Sequence, residues 1–360
     1  MAQAEAMLAQ VIMVVSCCHR IFAMPQPYER LSRRRRPMVG IFVMTAVSGF
    51  QVGYKGIARL RGTCFLARRA IGCSNSSCHH YPKNINSLGD QSMGGLIDGR
   101  LRRLAVPADS QVMSGADMRA ALEEQGFVRC GAFPVADARV LYDLLWEDYA
   151  TRLNMTREDP STWSTKSGVG LRPYLEPCRQ LTESDSWKRM KKKVNEVMDD
   201  MFGAGIWRCK PGGTLLVNGP SHGIEWTTPF AWHTDEAVSP FNPEPTNFYA
   251  MAYFDDLELH GGSTMILAGS ARRALIYNRS FSNGGTLLKI ALSKDNCWLH
   301  KLFDKEHETG TSGDRARRFV TEETHSAGIA MRVVELTGLA GDLIIWDPRA
   351  LHSGSDNVNM

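Results

Sequence analysis

The sequence predicts a mainly β domain, a sandwich or barrel of short antiparallel strands, with a layer of helices ahead of it. Two observations carry this prediction. Apolar residues recur at helical spacing in the middle of the chain. After them, short apolar or β-branched runs are separated by Gly, Pro and Asp, a pattern typical of antiparallel strands. These runs lie at residues 214–218, 248–254, 263–267, 331–336 and 343–346.

Each element can be placed in order along the chain. We expect ordered structure to begin near Ser114, which can cap a helix. A strand at 127–130 and a second helix after Pro134 follow. Residues 187–202 predict a longer helix, because their apolar side chains fall on one face. Residues 276–328 interrupt the strands with a polar, partly helical insertion, and such an insertion is typical of a lid or a rim loop.

Residues 1–110 differ from the rest of the chain in composition. The net charge of +4 is concentrated there, since Glu5 and Glu29 are the only acidic residues before Asp90. A basic stretch this poor in acids predicts either a targeting segment for a mitochondrion or plastid, or an extension without a function of its own. Both interpretations stay open. Residues 111–360 are predicted to form the functional domain.

Composition disfavours several classes of protein. The basic run has no interleaved aromatic residues and no recognisable binding module, so we expect no nucleic-acid binding. Its apolar stretch at residues 38–50 is too short for a membrane span. Nine cysteines, an odd number without a framework spacing, favour reduced thiols inside a cell over a secreted disulfide scaffold. The oligomeric state has no signature in the sequence.

The segment Trp232-His233-Thr234-Asp235 is the clearest candidate for chemistry. On an extended strand, side chains two residues apart point to the same face, so His233 and Asp235 can converge on one ion. His352, far along the chain, can return beside them after the chain has gone round a barrel. Two imidazoles and one carboxylate suit non-heme Fe(II) sites, which leave positions open for a keto acid and dioxygen. The same ligands also fit a Zn(II) hydrolase with an activated water.

Three further segments extend this pattern in a consistent order and spacing. The four together are L-E-E-Q-G-F-V at 122–128, W-H-T-D at 232–235, G-G-S-T-M-I-L-A-G-S at 261–270 and G-D-L-I-I-W-D-P-R-A-L-H-S-G-S-D-N at 341–357. With them, residues 115–360 resemble the phytanoyl-CoA dioxygenase family of Fe(II)/2-oxoglutarate oxygenases. The third segment departs from the family at Ala268, where Pro is usual, and the residue that follows the segment, Ala271, stands where His is usual.

The resemblance implies a double-stranded β-helix, a jelly-roll or cupin-like barrel, with an N-terminal helical layer. It implies that His233, Asp235 and His352 bind Fe(II), and that 2-oxoglutarate and dioxygen are used to hydroxylate a small organic substrate. Asp235 argues for hydroxylation or another oxidation, because related halogenases seat chloride in place of this carboxylate. Ser353 or Ser355 could donate a hydrogen bond to bound 2-oxoglutarate, or could cap the turn instead.

One departure concerns the co-substrate. The family holds the distal carboxylate of 2-oxoglutarate on an arginine about ten residues after the second histidine, where the guanidinium pairs with both oxygens. No Arg or Lys follows His352 up to Met360. Three alternatives stay open: the sequence is truncated, another residue replaces the arginine, or binding is weakened by on the order of 1.5–3 kcal/mol. The last would describe a catalytically impaired jelly-roll binding protein. We expect neither Arg349, in a turn, nor Arg272 and Arg273, as rim residues, to replace it.

Overall fold

A computed structural model describes most of the chain after residue 112 and one short segment near the N-terminus. The described residues are 10–17, 113–131, 133–159, 162, 174–175, 177–210, 212–218, 221, 223–304 and 312–358, with 10–17, 174–175 and 217 described as backbone alone. Within them, no helix is both long and apolar enough to cross a bilayer.

The strands of the described residues form two antiparallel sheets. In chain order they are β1 Gln10–Cys17, β2 Phe127–Cys130, β3 Tyr174–Leu175, β4 Thr214–Asn218, β5 Phe248–Tyr253, β6 Thr264–Ala268, β7 Thr324–Ser326, β8 Ile329–Glu335, β9 Leu343–Trp346 and β10 His352–Gly354. The larger sheet has the order β2-β9-β5-β1-β4-β3, and the smaller has the order β10-β6-β8-β7. Every strand pairing is antiparallel, as the sequence predicts.

The helices lie between β1 and β4 and between β6 and β7. They are α1 Gly115–Gln125, α2 Val135–Leu153, α3 Arg179–Glu183, α4 Asp185–Phe202, α5 Ser270–Ile276, α6 Thr286–Leu292, α7 Cys297–Phe303 and α8 Ser312–Thr321. Among the described residues, more lie in helices than in strands. The fold is therefore mixed helix and antiparallel sheet. The prediction of a mainly β protein is wrong in the share of residues that it gives to strands. The insertion accounts for part of the difference, because it folds into three helices of its own.

Local sequence explains where the early helices begin and end. The Ser114 hydroxyl accepts a hydrogen bond from Asp117 N at 3.2 Å and caps α1. Gly126 ends α1 in the left-handed conformation, with φ 86°, and its N–H donates to the Leu122 carbonyl. Ser184 caps α4 in the same way by accepting from Trp187 N. These positions agree with the sequence-based expectation of helices in this region.

Successive side chains along a strand point alternately into a core shared with the helices and into a core between the two sheets. Along β5, Ala250 and Ala252 belong to the apolar cluster shared with α1, α2 and α4, whereas Met251 and Tyr253 belong to a cluster between the sheets. Ile266 and Val334 of the smaller sheet contribute to that inner cluster. The outer face of the smaller sheet packs against α5 to α8 in a third cluster. The two sheets therefore face each other, with helices on both outer faces.

Strand β1 lies within the predicted N-terminal extension, and the sequence analysis did not predict it. It occupies a central place in the larger sheet, between β4 and β5 and antiparallel to both. Ile12 stands opposite Leu216 on one side and Tyr253 on the other. The rest of residues 1–110 lies outside the described residues, so the domain boundary near residue 110 stays a prediction.

Candidate metal centre

Backbone pairing brings the two predicted histidines together. His233 and His352 form an isolated antiparallel bridge, in which each N–H donates to the carbonyl of the other at 2.9 Å. Asp235 N donates to the Pro348 carbonyl at 2.9 Å, so the H-x-D segment runs alongside the residues that lead into β10. The imidazole ring centroids lie 4.3 Å apart. The convergence that the sequence predicts is therefore produced by main-chain hydrogen bonds.

The ligand atoms of the triad, His233, Asp235 and His352, point at one another. The Nε2 atom of His233 lies 3.5 Å from Asp235 Oδ1, and that of His352 lies 3.4 Å from Asp235 Oδ2. One donor atom from each residue lies within 4.8 Å of the other two. Among the described residues, this is the one group of three or more His, Cys, Asp or Glu side chains that lie close enough together to hold a metal ion.

Hydrogen bonds on the far side of each ring fix its tautomer. The Nδ1 atom of His233 lies 3.1 Å from the Ala231 carbonyl, and that of His352 lies 3.0 Å from the Ala350 carbonyl. A carbonyl oxygen can only accept, so each Nδ1 carries a proton, and each Nε2 is the ring atom turned toward the other members of the triad. Both rings are therefore held in the orientation that metal-binding histidines usually have.

Exposure of the triad is one-sided. The His352 side chain is 6% exposed, whereas those of His233 and Asp235 are 44% and 36% exposed. An ion bound here would be covered on the His352 side and accessible from the other. Two imidazole nitrogens and one carboxylate oxygen, with room for further ligands, fit Fe(II).

The protonation states of the triad also favour metal binding. Burial lowers the pKa of His233, and the neighbouring His352 lowers it further. Burial alone would raise the pKa of Asp235, but the hydrogen bond and charge of His352 outweigh this effect and leave that pKa lowered. At neutral pH the two groups are thus a neutral imidazole and a carboxylate, the forms that bind a cation.

Two aromatic residues that the sequence analysis did not single out stand next to the triad. The ring of Trp346 on β9 meets that of His352 edge-on, with centroids 4.3 Å apart. Tyr249 on β5 is paired in register with Trp346, and their ring centroids are 5.3 Å apart. The Tyr249 hydroxyl hydrogen-bonds Asp235. Strand alternation could have placed each residue on an inner face, but only the register of β5 against β9 brings them together.

The insertion also reaches the triad. Gly284 N donates to the Thr234 carbonyl at 2.6 Å, so the start of α6 lies against the residue between two ligands. A Cβ atom on Gly285 would lie 2.9 Å from a methyl carbon of Leu351 and 3.1 Å from Thr234 N. Gly285 has φ 67°, and glycine serves both this conformation and the close approach. One turn later, the half-buried Lys289 follows on the same helix face. Whether the insertion acts as a lid stays a prediction.

The two serines predicted to contact 2-oxoglutarate are placed differently from the triad. Ser353 follows His352 directly on β10, so its side chain points to the opposite face of the strand. The Ser355 hydroxyl lies 3.1 Å from the Ser263 carbonyl and 3.4 Å from a carboxylate oxygen of Glu335. The structure brings neither hydroxyl to the ligand atoms, and a role in co-substrate binding stays a prediction.

The three arginines that the sequence analysis considered differ in burial and in their partners. All three guanidinium nitrogens of buried Arg349 are used, by both oxygens of Asp347 and by the Pro243 carbonyl. Arg273 is also buried and pairs with Asp295 at 2.9 Å, so the expectation that it is a rim residue is wrong. Its guanidinium packs against an aromatic ring and helps to close the insertion against the small sheet. Arg272 is exposed.

A His-Asp-His triad with open positions, held beside two facing antiparallel sheets, defines the class of non-heme metal sites that serve oxygenases. The model of the phytanoyl-CoA dioxygenase family (PhyH) matches residues 122–360. The chain belongs to this family, and its membership supports a dioxygenase-like function.

Three solved structures are similar at low identity. AviO1 from Streptomyces viridochromogenes Tue57 is 15% identical, with 69% of this chain and 90% of that chain covered and a TM-score of 0.33. The non-heme alpha ketoglutarate dependent carbocyclase SnoK from nogalamycin biosynthesis is 14% identical, with 69% and 82% covered and a TM-score of 0.38. The epimerase SnoN, in complex with Fe3+, alpha ketoglutarate and nogalamycin RO, is 13% identical, with 68% and 77% covered and a TM-score of 0.36. No curated protein matches the sequence.

Proposed function

We propose that the protein is an Fe(II)- and 2-oxoglutarate-dependent dioxygenase that hydroxylates a small organic substrate in a double-stranded β-helix barrel. His233, Asp235 and His352 would hold the iron. The observation that carries the proposal is the orientation of the triad, in which both Nε2 atoms and both carboxylate oxygens converge while both Nδ1 atoms are bonded to carbonyls. A chance cluster of polar side chains has no reason to have its tautomers fixed in this way.

When bound, ferrous iron and 2-oxoglutarate supply the oxidation of a substrate C–H bond by dioxygen, with succinate and CO₂ as the other products. The chain itself orients the three metal ligands and covers one side of the site. The carbonyls of Ala231 and Ala350 hold the two rings, and the Tyr249 hydroxyl holds the carboxylate of Asp235. Trp346 covers the inner side of His352. The exposed side of His233 and Asp235 is therefore the side from which co-substrate and substrate would approach.

The decisive experiment compares iron binding and turnover in wild type and His233→Ala. The protein is loaded with Fe(II) without oxygen, bound iron is counted, and succinate formation from 2-oxoglutarate is followed after oxygen is admitted. We expect His233→Ala to lose at least about a hundredfold in iron affinity and to form no succinate above background, because one of three ligands is gone. His325→Ala is the matched control, since this exposed histidine on β7 lies outside the triad.

Full succinate formation by His233→Ala would contradict the proposal. Tight iron binding by wild type without any binding of 2-oxoglutarate would instead favour the catalytically impaired binding protein. Turnover that requires Zn(II) and releases no succinate would favour a hydrolase.

A further inference from the structure

A keto acid that binds the metal through its 2-oxo and first carboxylate groups leaves its distal carboxylate to the protein. A distal carboxylate buried near the metal needs a cation or several hydrogen-bond donors. The cationic side chains near the triad therefore show where such a ligand can extend. Arg349 and Arg273 are both buried and held by internal partners.

Lys289 is different from these arginines. Its side chain is half-buried on α6, and it has no hydrogen bond or ion pair with any described residue. The side chain is partly removed from water, and this burial lowers the pKa of Lys289. A half-buried cation without a partner is costly, and a bound anion would offset that cost.

The position of Lys289 is set by the contact between α6 and the triad. Lys289 N donates to the Gly285 carbonyl at 2.8 Å, so the two residues lie one helical turn apart on the same face. Gly285 is the residue that approaches Thr234 N. Side chains on a helix lean toward its N-terminus, so the Lys289 side chain extends back over Gly285, toward the H-x-D segment. Gly285 has no side chain that would block this path.

We propose that Lys289 binds the distal carboxylate of 2-oxoglutarate. This inference rests on the proposed function and adds a residue to it. It assigns the binding of this carboxylate to a lysine in the insertion. A lysine offers a point charge with three donors, whereas an arginine offers a planar fork, so the anchor would be looser than a guanidinium pair.

The test is an anaerobic titration of the Fe(II)-loaded protein with two ligands. One is 2-oxoglutarate, and the other is 2-oxopentanoate, which has a methyl group in place of the distal carboxylate. Binding is followed by the visible charge-transfer absorption of the iron complex and by calorimetry. The variants are Lys289→Gln, which keeps polarity without charge, and Lys289→Arg, which keeps the charge. Lys294→Gln, an exposed lysine of the same insertion, is the control.

We expect Lys289→Gln to bind 2-oxoglutarate about ten- to a hundredfold more weakly than wild type and to bind 2-oxopentanoate equally well. Lys289→Arg should recover most of the loss, and Lys294→Gln should match wild type. Equal affinity of Lys289→Gln and wild type for 2-oxoglutarate would overturn the inference, as would an equal loss for both ligands. If wild type binds iron but neither keto acid, the proposed function itself fails.

Discussion

Strand β10 has a polar cluster at each end, and the two clusters use similar side chains in opposite ways. At its first residue, His352 joins His233 and Asp235, whose side chains are substantially exposed. Beyond its last residue lies what we call the Asn218 cluster, formed by Asn218, Glu335, Ser355 and Asn357. There the Asn218 amide donates to the carbonyls of Gly262 and Ser355, both at 2.8 Å.

The difference lies in where the hydrogen bonds go. In the triad, the protein holds the rear of each ring and leaves the ligand atoms facing one another. In the Asn218 cluster, the polar atoms bond mainly to main-chain groups of neighbouring segments: Asn357 donates to the Asn218 carbonyl at 3.0 Å, and Glu335 accepts from His260 N at 2.9 Å. A cluster of polar residues at the end of a strand is thus not by itself a site. The triad should govern ligand binding, and the Asn218 cluster should govern stability.

Replacing the central amide of the Asn218 cluster is expected to have the largest effect on stability. Asn218→Ala removes two hydrogen bonds and leaves two buried carbonyls without this donor, so we expect a loss of about 2–4 kcal/mol in the free energy of unfolding. Urea denaturation measures it. Iron affinity of the folded fraction should stay within about twofold, because the triad is untouched. A large loss of iron affinity at unchanged stability would break the comparison.

The acid of the same cluster should make stability depend on pH. Burial raises the pKa of Glu335 to about 7, above its ordinary value of 4.5. The folded state therefore holds a proton that the unfolded state releases, and this contribution to stability is fully present below pH 4.5 and lost as the pH rises through about 7. Glu335→Gln should remove this dependence and gain on the order of 2–3 kcal/mol relative to wild type at pH 8. Parallel urea curves at pH 5 and 8 would show it, and an unchanged pH slope in the variant would exclude Glu335 as the cause.

The smallest expected effect concerns the triad. Tyr249→Phe removes the hydroxyl that bonds Asp235 but keeps the ring that packs on Trp346. We expect iron affinity to fall about tenfold, because groups that orient a metal ligand usually contribute this much. Stability should change by less than about 1 kcal/mol. Anaerobic iron titration and urea denaturation of the same preparation give both quantities. A variant that loses stability and keeps its iron affinity would place Tyr249 with the structural residues.

The sequence was sufficient for the features that depend on short spacing. His233 and Asp235 are two residues apart, and the cap of α1 is read from Ser114 with the residues that follow. The partners of the triad were not predictable in this way. Tyr249 and Trp346 meet through the register of two strands, and α6 approaches Thr234 because Gly285 has no side chain. Register and helix placement are properties of tertiary packing, which a single sequence expresses weakly.

The same limit applies to the strand that the sequence analysis missed. An apolar run near the N-terminus has no local sign of its partners, since β1 pairs with strands that begin at Thr214 and Phe248. Loop closure over so long a separation depends on contacts that form only when the sheet is assembled.

The central position of β1 has a consequence for the maturation of the chain. Strands β4 and β5 are both antiparallel to β1 and hence parallel to each other, so they form a slot that a third strand must fill. During synthesis, residues 10–17 leave the ribosome long before either wall of that slot exists. If residues 1–110 were removed as a targeting segment, two facing rows of unpaired N–H and C=O groups would remain, and such edges recruit strands from other molecules. After such a cleavage, a strand from a second copy would be able to fill the slot that β1 fills in the uncleaved chain.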